Sequence, residues 1–352
     1  MKAVSLFSGA GIGESRLNEI NIDVTTGNEL IESRANIYSQ LVPTSTMING
    51  DIRDEIIFDQ LLANSPTNLD LLIATPPCQG VSIAGKNRKA DQQVADDRNY
   101  LLFSVIKYIQ LVRPKYVLIE NVPQYLDLAL PHKGQLKSVT QILWEEFGAE
   151  YEIDWQVINC ADLGVPQSRR RSFIKLFIKG ADWPWPEYVS QQLTLSDVIF
   201  DLPSLEAGQS SEIKWHFARK HSESHVLWMS HTPTGCTAFE NPVFFPKKEN
   251  GDPIKAYSTT YRRMRWDRPS SAITMRNDAI SSQMNVHPGR KKQKGTYSDA
   301  RVLTPLELLK VNSMNIEQWN GVEAPESVVR KVLGEGVPPL AINQILRPLV
   351  GK

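Results

Sequence analysis

Four short stretches carry residue types that could do chemistry together. Leu71-Leu72-Ile73-Ala74-Thr75-Pro76-Pro77-Cys78 is an apolar run halted by two prolines, and it ends in a thiol, a candidate nucleophile. Tyr116-Val117-Leu118-Ile119 runs into Glu120-Asn121-Val122, so an acid stands at the end of a second such run. Gln167-Ser168-Arg169-Arg170-Arg171 supplies guanidinium groups, which suit a phosphate or a carbonyl oxygen. Phe7-Ser8-Gly9-Ala10-Gly11-Ile12-Gly13 is a glycine turn of the kind that lets backbone approach a bound group closely. Each has an ordinary reading by itself: a free cysteine is commonly a small buried hydrophobe, an acid caps a helix, and arginines solvate a surface. Their order and setting decide.

Apolar runs of four or five residues bounded by turn signals read as buried strands, and in open α/β sheets ligands collect at the strands' carboxyl ends. Val4 to Phe7 is such a strand, with a helix expected over 14–20. Two further candidate strands end in the acids Glu29 and Asp51, where a carboxylate could bind a ribose hydroxyl pair. Gln79 to Arg98 is long, polar and without hydrophobic period, the pattern of a lid or binding loop. Helices are expected over 101–111 and 136–147, a strand over 151–158, and, from its alternation, a half-exposed strand over 172–178. After Trp183-Pro184-Trp185-Pro186 prolines punctuate the chain, which places a domain boundary near Gly180 and a small, irregular, mostly β region to about Ala300. Helices return at 303–309, 328–333 and 338–349, with a turn at Gly334-Glu335-Gly336.

With 352 residues, 41% of them hydrophobic, two soluble globular domains are expected. Three cysteines, Cys78, Cys160 and Cys236, are too few for a disulfide framework and point to a reducing, cytoplasmic compartment. No signal-peptide layout and no bilayer-length apolar run are present. Net charge is zero, yet Lys255 to Arg301 holds eleven Lys or Arg against three Asp, or 11 − 3 = +8. That concentration favours a polyanion partner for this segment alone. His221, His225, His231 and Cys236 match no closed zinc spacing, so no metal is expected.

The ordered set Phe7-Ser8-Gly9-Ala10-Gly11, Pro76-Pro77-Cys78-Gln79, Glu120-Asn121-Val122, Gln167-x-Arg169-x-Arg171, Arg301-x-Leu303-Thr304-x-x-Glu307 and Gly334-x-Gly336-Val337 resembles the cytosine-C5 DNA methyltransferase family, S-adenosylmethionine-dependent and of the prokaryotic restriction-modification type. The resemblance spans nearly the whole chain. It implies a Rossmann-like, doubly wound, mostly parallel sheet and a second, smaller, irregular, mostly β target-recognition domain. The catalytic and cofactor-binding domain would comprise 1–180 with 327–352, target recognition 181–312, and a hinge 313–326. Cys78, Glu120, Arg169 and Arg171 would be catalytic. S-adenosyl-L-methionine would be held by Phe7, Ser8, Gly9, Ala10, Gly11, Ile12, Glu29, Asp51, Ile52, Pro77, Leu101, Glu335 and Val337. Gln79, Ser82, Lys86, Arg262, Arg263 and Arg265 would contact duplex DNA. Glu335 stands where the family has Asn, a departure at the cofactor turn.

The implied activity is that of a DNA (cytosine-5-)-methyltransferase working as a monomer on a flipped-out base, alongside any cognate restriction endonuclease acting separately. Two alternatives stay open: a cytosine-C5 methyltransferase acting on transfer RNA, and a catalytically silent DNA-binding homologue. A nicotinamide oxidoreductase would rest on the glycine turn alone, whose last glycine falls one position early for the dinucleotide fingerprint.

Overall fold

The computed structural model describes residues 1–77, 97–252, 254 and 257–351. Its strands are β1 (Lys2–Leu6), β2 (Asp23–Glu29), β3 (Thr46–Asn49), β4 (Leu71–Ala74), β5 (Tyr116–Asn121), β6 (Ala129–His132), β7 (Gln135–Ser138), β8 (Tyr151–Asn159), β9 (Gln167–Ser168), β10 (Arg170–Ile178) and β11 (Ser270–Ser271). Seven of them form one sheet in the order β3-β2-β1-β4-β5-β10-β8. The first five are parallel, and β10 runs antiparallel to both its neighbours. Every residue of β4 and β5 is buried, as a parallel sheet covered on both faces requires. Strand order reverses between β1 and β4, so the carboxyl edge there is the expected ligand crevice.

Helices α1 (Glu32–Leu41), α2 (Glu55–Ala63), α3 (Leu101–Val112) and α4 (Val139–Phe147) flank this sheet in the chain. Asp54 caps α2 by accepting from Ile56 N at 2.8 Å. A core of Leu6, Leu72, Leu102, Ile119, Ile142 and their neighbours is sealed from water, each large aliphatic contributing roughly 1.5–3 kcal/mol.

Three expectations are corrected in this region. The helix foreseen from Leu136 starts at Val139, because Ser138 and Gln141 form a reciprocal capping box and the preceding residues make the β6–β7 hairpin. The helix foreseen over 14–20 is only a 3-10 turn, Leu17–Ile20, since Glu14 turns inward to the hydroxyl of Ser5. β10 is buried through its middle, where alternation suggested a half-exposed strand. The misleading residue is Lys175, whose Nζ donates to Trp183 O at 2.6 Å and lies 3.8 Å from the centre of the Trp185 ring. Burial lowers its pKa to about 8.

The chain forms two compact units, one of Met1–Cys160, Arg170–Glu187 and Ile342–Lys352, the other of Ala161–Arg169 and Tyr188–Ala341. The first unit extends beyond Gly180 because Lys175 and Ile345 O hold Trp183, the latter bond measuring 2.9 Å. The second unit contains α5 (Leu195–Ile199), α6 (Glu223–Ser230), α7 (Pro305–Val311), α8 (Ile316–Asn320) and α9 (Glu326–Glu335). Among its described residues, strand pairing is limited to β9 with β11 and isolated bridges, so it is irregular with little regular β structure. Its apolar cluster includes Trp228, Met229, Tyr261, Ile280, Val286 and Val302. α9 runs through Gly334 and Glu335, where the sequence suggested a turn, and ends at Gly336. No helix of the described residues is long and apolar enough to cross a membrane.

Candidate active site

The carboxyl edge of the sheet is tied together by side chains from successive strand ends. Thr75 Oγ1 donates to Phe7 O at 2.9 Å, and Asn121 Nδ2 donates to Pro76 O at 2.8 Å. Asn28 Nδ2 reaches Ile48 O and Gly50 O, while Ser8 N donates to Asn28 O at 2.9 Å. Each bond ties one strand end to the next, so positions from five strands are held in register.

Phe7, Gly9 and Gly11 all have positive φ, at 59°, 57° and 74°. For a bulky residue such as Phe7 this costs about 1–3 kcal/mol, a strain that clusters at functional sites. A Cβ added at Gly9 would meet nothing within 4 Å, so the turn leaves open space above it, whereas one at Gly11 would press on Tyr38. Glu29 Oε2 accepts from Gly9 N at 3.0 Å and its Oε1 from Ile31 N at 2.8 Å. The carboxylate is thereby aimed at the turn; Oε1 also lies 3.5 Å from Arg34, while Oε2 retains acceptor capacity. Asp51 is partly exposed beyond β3 and pairs with Arg53 at 2.6 Å, which lowers its pKa. These residues fit a nucleoside-bearing ligand: an open glycine turn with carboxylates at the next two strand ends. Ser8, Ala10, Ile12, Ile52 and Leu101 are buried, and Pro77 is half-buried.

Glu120 lies on β5, one residue past the level of Ala74 on β4, and is 5% exposed. Arg171 on β10 places Nε 3.0 Å from Glu120 Oε1. Ser172 Oγ donates to Asn121 O and Val122 O, locking the two strands where the pair is formed. Cys78, Gln79, Ser82 and Lys86 lie outside the described residues. Beneath the glycine turn, Glu14 is buried against Ser5, and burial raises its pKa to about 7.

The Gln-x-Arg-x-Arg motif divides between the units. Arg171 belongs to the first, whereas Gln167 and Arg169 belong to the second. Arg169 is buried and donates to Ile273 O at 2.7 Å, Glu335 O at 2.8 Å and Gly334 O at 3.2 Å, so it positions backbone in its own unit. Val337 is buried close by in sequence.

The arginines expected to contact DNA differ in availability. Arg263 is corrected outright: it is 1% exposed, and its guanidinium donates to Met229 O, His287 O and Asp299 O at 2.9, 2.8 and 3.1 Å. It is a scaffold residue with no access to phosphate. Arg262 is partly exposed and donates to Gly235 O at 2.6 Å, and Arg265 is exposed but paired with Asp267 at 2.7 Å. Arg301, the last charge of the basic segment, is also internal, with Nη2 2.8 Å from Asp299 and Nη1 2.7 Å from Glu307. Sequence reasoning missed the supporting roles of Thr75 and Asn28; the signal was a polar residue closing an apolar run.

Comparison with known proteins follows the same lines. The chain is 48% identical to Type II methyltransferase M1.HgaI of Avibacterium volantium over 98% of its own length and 97% of that protein's. It is 28% identical to Type II methyltransferase M1.HphI of Haemophilus parahaemolyticus, covering 97% and 84%. A crystal structure described as a prophage DNA modification methyltransferase of E. coli superposes with a TM-score of 0.69 at 18% identity, covering 99% of this chain and 98% of that one, a likeness of fold. The sequence profile of the C-5 cytosine-specific DNA methylase family matches residues 1–351, and the chain belongs to that family.

Proposed function

We propose that this Type II cytosine-C5 DNA methyltransferase takes its methyl group from S-adenosyl-L-methionine and delivers it to a cytosine flipped out of duplex DNA, with Cys78 as nucleophile. The observation that carries the reading is the shared edge: the Glu120–Arg171 pair, the glycine turn with Glu29, and the end of β4 that leads to Cys78.

Cytosine C5 is a poor nucleophile until something adds to C6. A thiolate does this well, although an ordinary thiol is only a few per cent ionised near neutrality, so its surroundings and general-base help matter. The Cys78 sulfur forms a bond to C6, and the C5–C6 double bond's electrons move onto C5, giving an enamine. Glu120, hydrogen-bonded toward N3 and the exocyclic amine, favours that addition by drawing electrons from the ring. Arg171, already oriented by Glu120, holds the carbonyl oxygen, and Arg169 acts as a positioning residue. The bound cofactor supplies a methyl group activated by a sulfonium. Gly9 and Gly11 admit it, while Glu29 and Asp51 receive its hydroxyl-bearing portion. After C5 is methylated, a base removes the C5 proton, and the electrons return to expel the Cys78 thiolate.

The enzyme acts in the cytoplasm as a monomer, protecting DNA in a restriction-modification system whose endonuclease is separate. Labelled-methyl transfer to duplex DNA and to transfer RNA tests the reading, with Cys78→Ser as control. Incorporation into DNA that is lost in Cys78→Ser while DNA binding persists is expected. Incorporation into RNA only, or transfer unchanged by the substitution, overturns it.

A further inference from the structure

Within the second unit, Thr274, Met275 and Arg276 are three consecutive exposed residues between two that are 1% exposed, Ile273 and Asn277. The backbone is held on either side of Met275 and Arg276. Ile273 N donates to Gln167 Oε1 at 3.1 Å, and Ile273 O accepts from Arg169 at 2.7 Å. Thr274 O accepts from Asn277 Nδ2 at 2.7 Å, and Asn277 O accepts from Arg330 at 3.2 Å. Gly334 lies so close that an added Cβ would stand 2.3 Å from Thr274 O. Buried polar groups held this firmly rigidify whatever they present.

What they present is a cation beside an apolar side chain. Among the described residues the Arg276 guanidinium has no hydrogen-bond or ion-pair partner, unlike Arg262, Arg263 and Arg265. Met275 is 42% exposed. On a rigid loop the backbone needs no further ordering when the guanidinium meets a phosphate, and an unpaired cation has no carboxylate to give up first, whereas a paired one does.

We propose that Thr274–Arg276 is a DNA-contacting finger, with Arg276 on a backbone phosphate and Met275 packed against the adjoining sugar. The proposal rests on the duplex-DNA reading and assigns the contact to residues that reading left open.

Equilibrium binding of duplex DNA across a potassium chloride series tests it on the full chain. Arg276→Gln should flatten the slope of log K against log salt by about one unit and weaken binding about threefold to tenfold. KM for DNA should rise in proportion with kcat kept, and Arg276→Lys should restore the parental slope. Because the Arg276 guanidinium has no hydrogen-bond or ion-pair partner among the described residues, thermal unfolding should not move. A parental slope in Arg276→Gln, or a slope lost equally in Arg276→Lys, overturns the finger. A parent protein that binds no duplex DNA at all instead overturns the reading on which it rests.

Discussion

In the first unit backbone polar groups pair strand to strand, and the side chains between them are free to be apolar. In the second, regular pairing is scarce, and buried arginines take over the carbonyls that no ladder satisfies. Arg169, Arg263, Arg301 and Arg330 all donate to backbone oxygens while nearly sealed from water. An arginine suits the task because its five donors fan out in one plane and it remains protonated when buried. The two solutions differ in what a single substitution destroys: chemistry at the sheet edge, folding in the irregular unit.

Glu120→Gln is the sharpest probe of that contrast. Its main-chain position is secured by β4, β10 and the Ser172 bonds, so the fold does not depend on its charge. Methyl transfer should fall by about 10²- to 10⁴-fold, with a stability loss of about 1–3 kcal/mol, because the amide keeps a hydrogen bond to the largely buried Arg171 but no longer offsets its charge. A variant that unfolds while its folded fraction keeps full turnover would reverse the assignment. Arg301→Leu should do the opposite. It strands Asp299 and Glu307 in the interior, where burial opposes their charge and Arg301 now holds Glu307 down to about 2. A loss of roughly 3–5 kcal/mol is expected in urea unfolding. A midpoint equal to the parent's would mean that buried arginines do not hold this unit.

The contrast also explains what could be read in the sequence. β4 and β5 were legible because both-face burial leaves uninterrupted apolar runs, and the residues proposed for catalysis follow in the sequence where those runs stop. β10 was legible as a strand but not as an interior one, since Lys175 occupies an inward position, where its ammonium donates to Trp183 O and lies over the Trp185 ring. The hairpin before α4 was hidden because Leu136 continues the apolar pattern of the helix, and the capping residue Ser138 comes only after it. In the second unit the letters mislead more deeply. A buried arginine and a partly exposed one have the same symbol, and Arg263 and Arg262 are adjacent. Counting charge therefore overstates the basic surface.

Among the buried ionisable groups of the first unit, Glu14 offers a smaller test by pH. Glu14 is raised from 4.5 to about 7, chiefly by burial, with the Ser5 hydrogen bond opposing the shift. The folded state thus binds this proton more tightly than the unfolded chain. Stability from this group is full below about pH 4.5 and is lost as pH rises through about 7. The total is up to about 3 kcal/mol. Glu14→Gln keeps the shape and removes the proton, so unfolding free energy measured from pH 4 to 8 should lose that part of its slope. An unchanged slope would place the titration elsewhere.

Arg263 and Arg265, two residues apart in the second unit, give the finest discrimination. Arg263→Met leaves the carbonyls of Met229, His287 and Asp299 short of a donor and should cost about 1–3 kcal/mol of stability. Because that guanidinium never reaches solvent, the salt dependence of DNA binding by the folded protein should stay parental. Arg265→Gln should show the reverse pattern, with stability within about 0.5 kcal/mol of the parent. Any change in its salt slope should be smaller than the change in Arg276→Gln, since Asp267 already neutralises Arg265 at 2.7 Å and must be displaced before a phosphate can replace it. If Arg263→Met instead flattened the slope, its guanidinium would have to leave the interior on DNA, and the distinction between scaffold and contact arginines would fail at the residue where it is most sharply drawn.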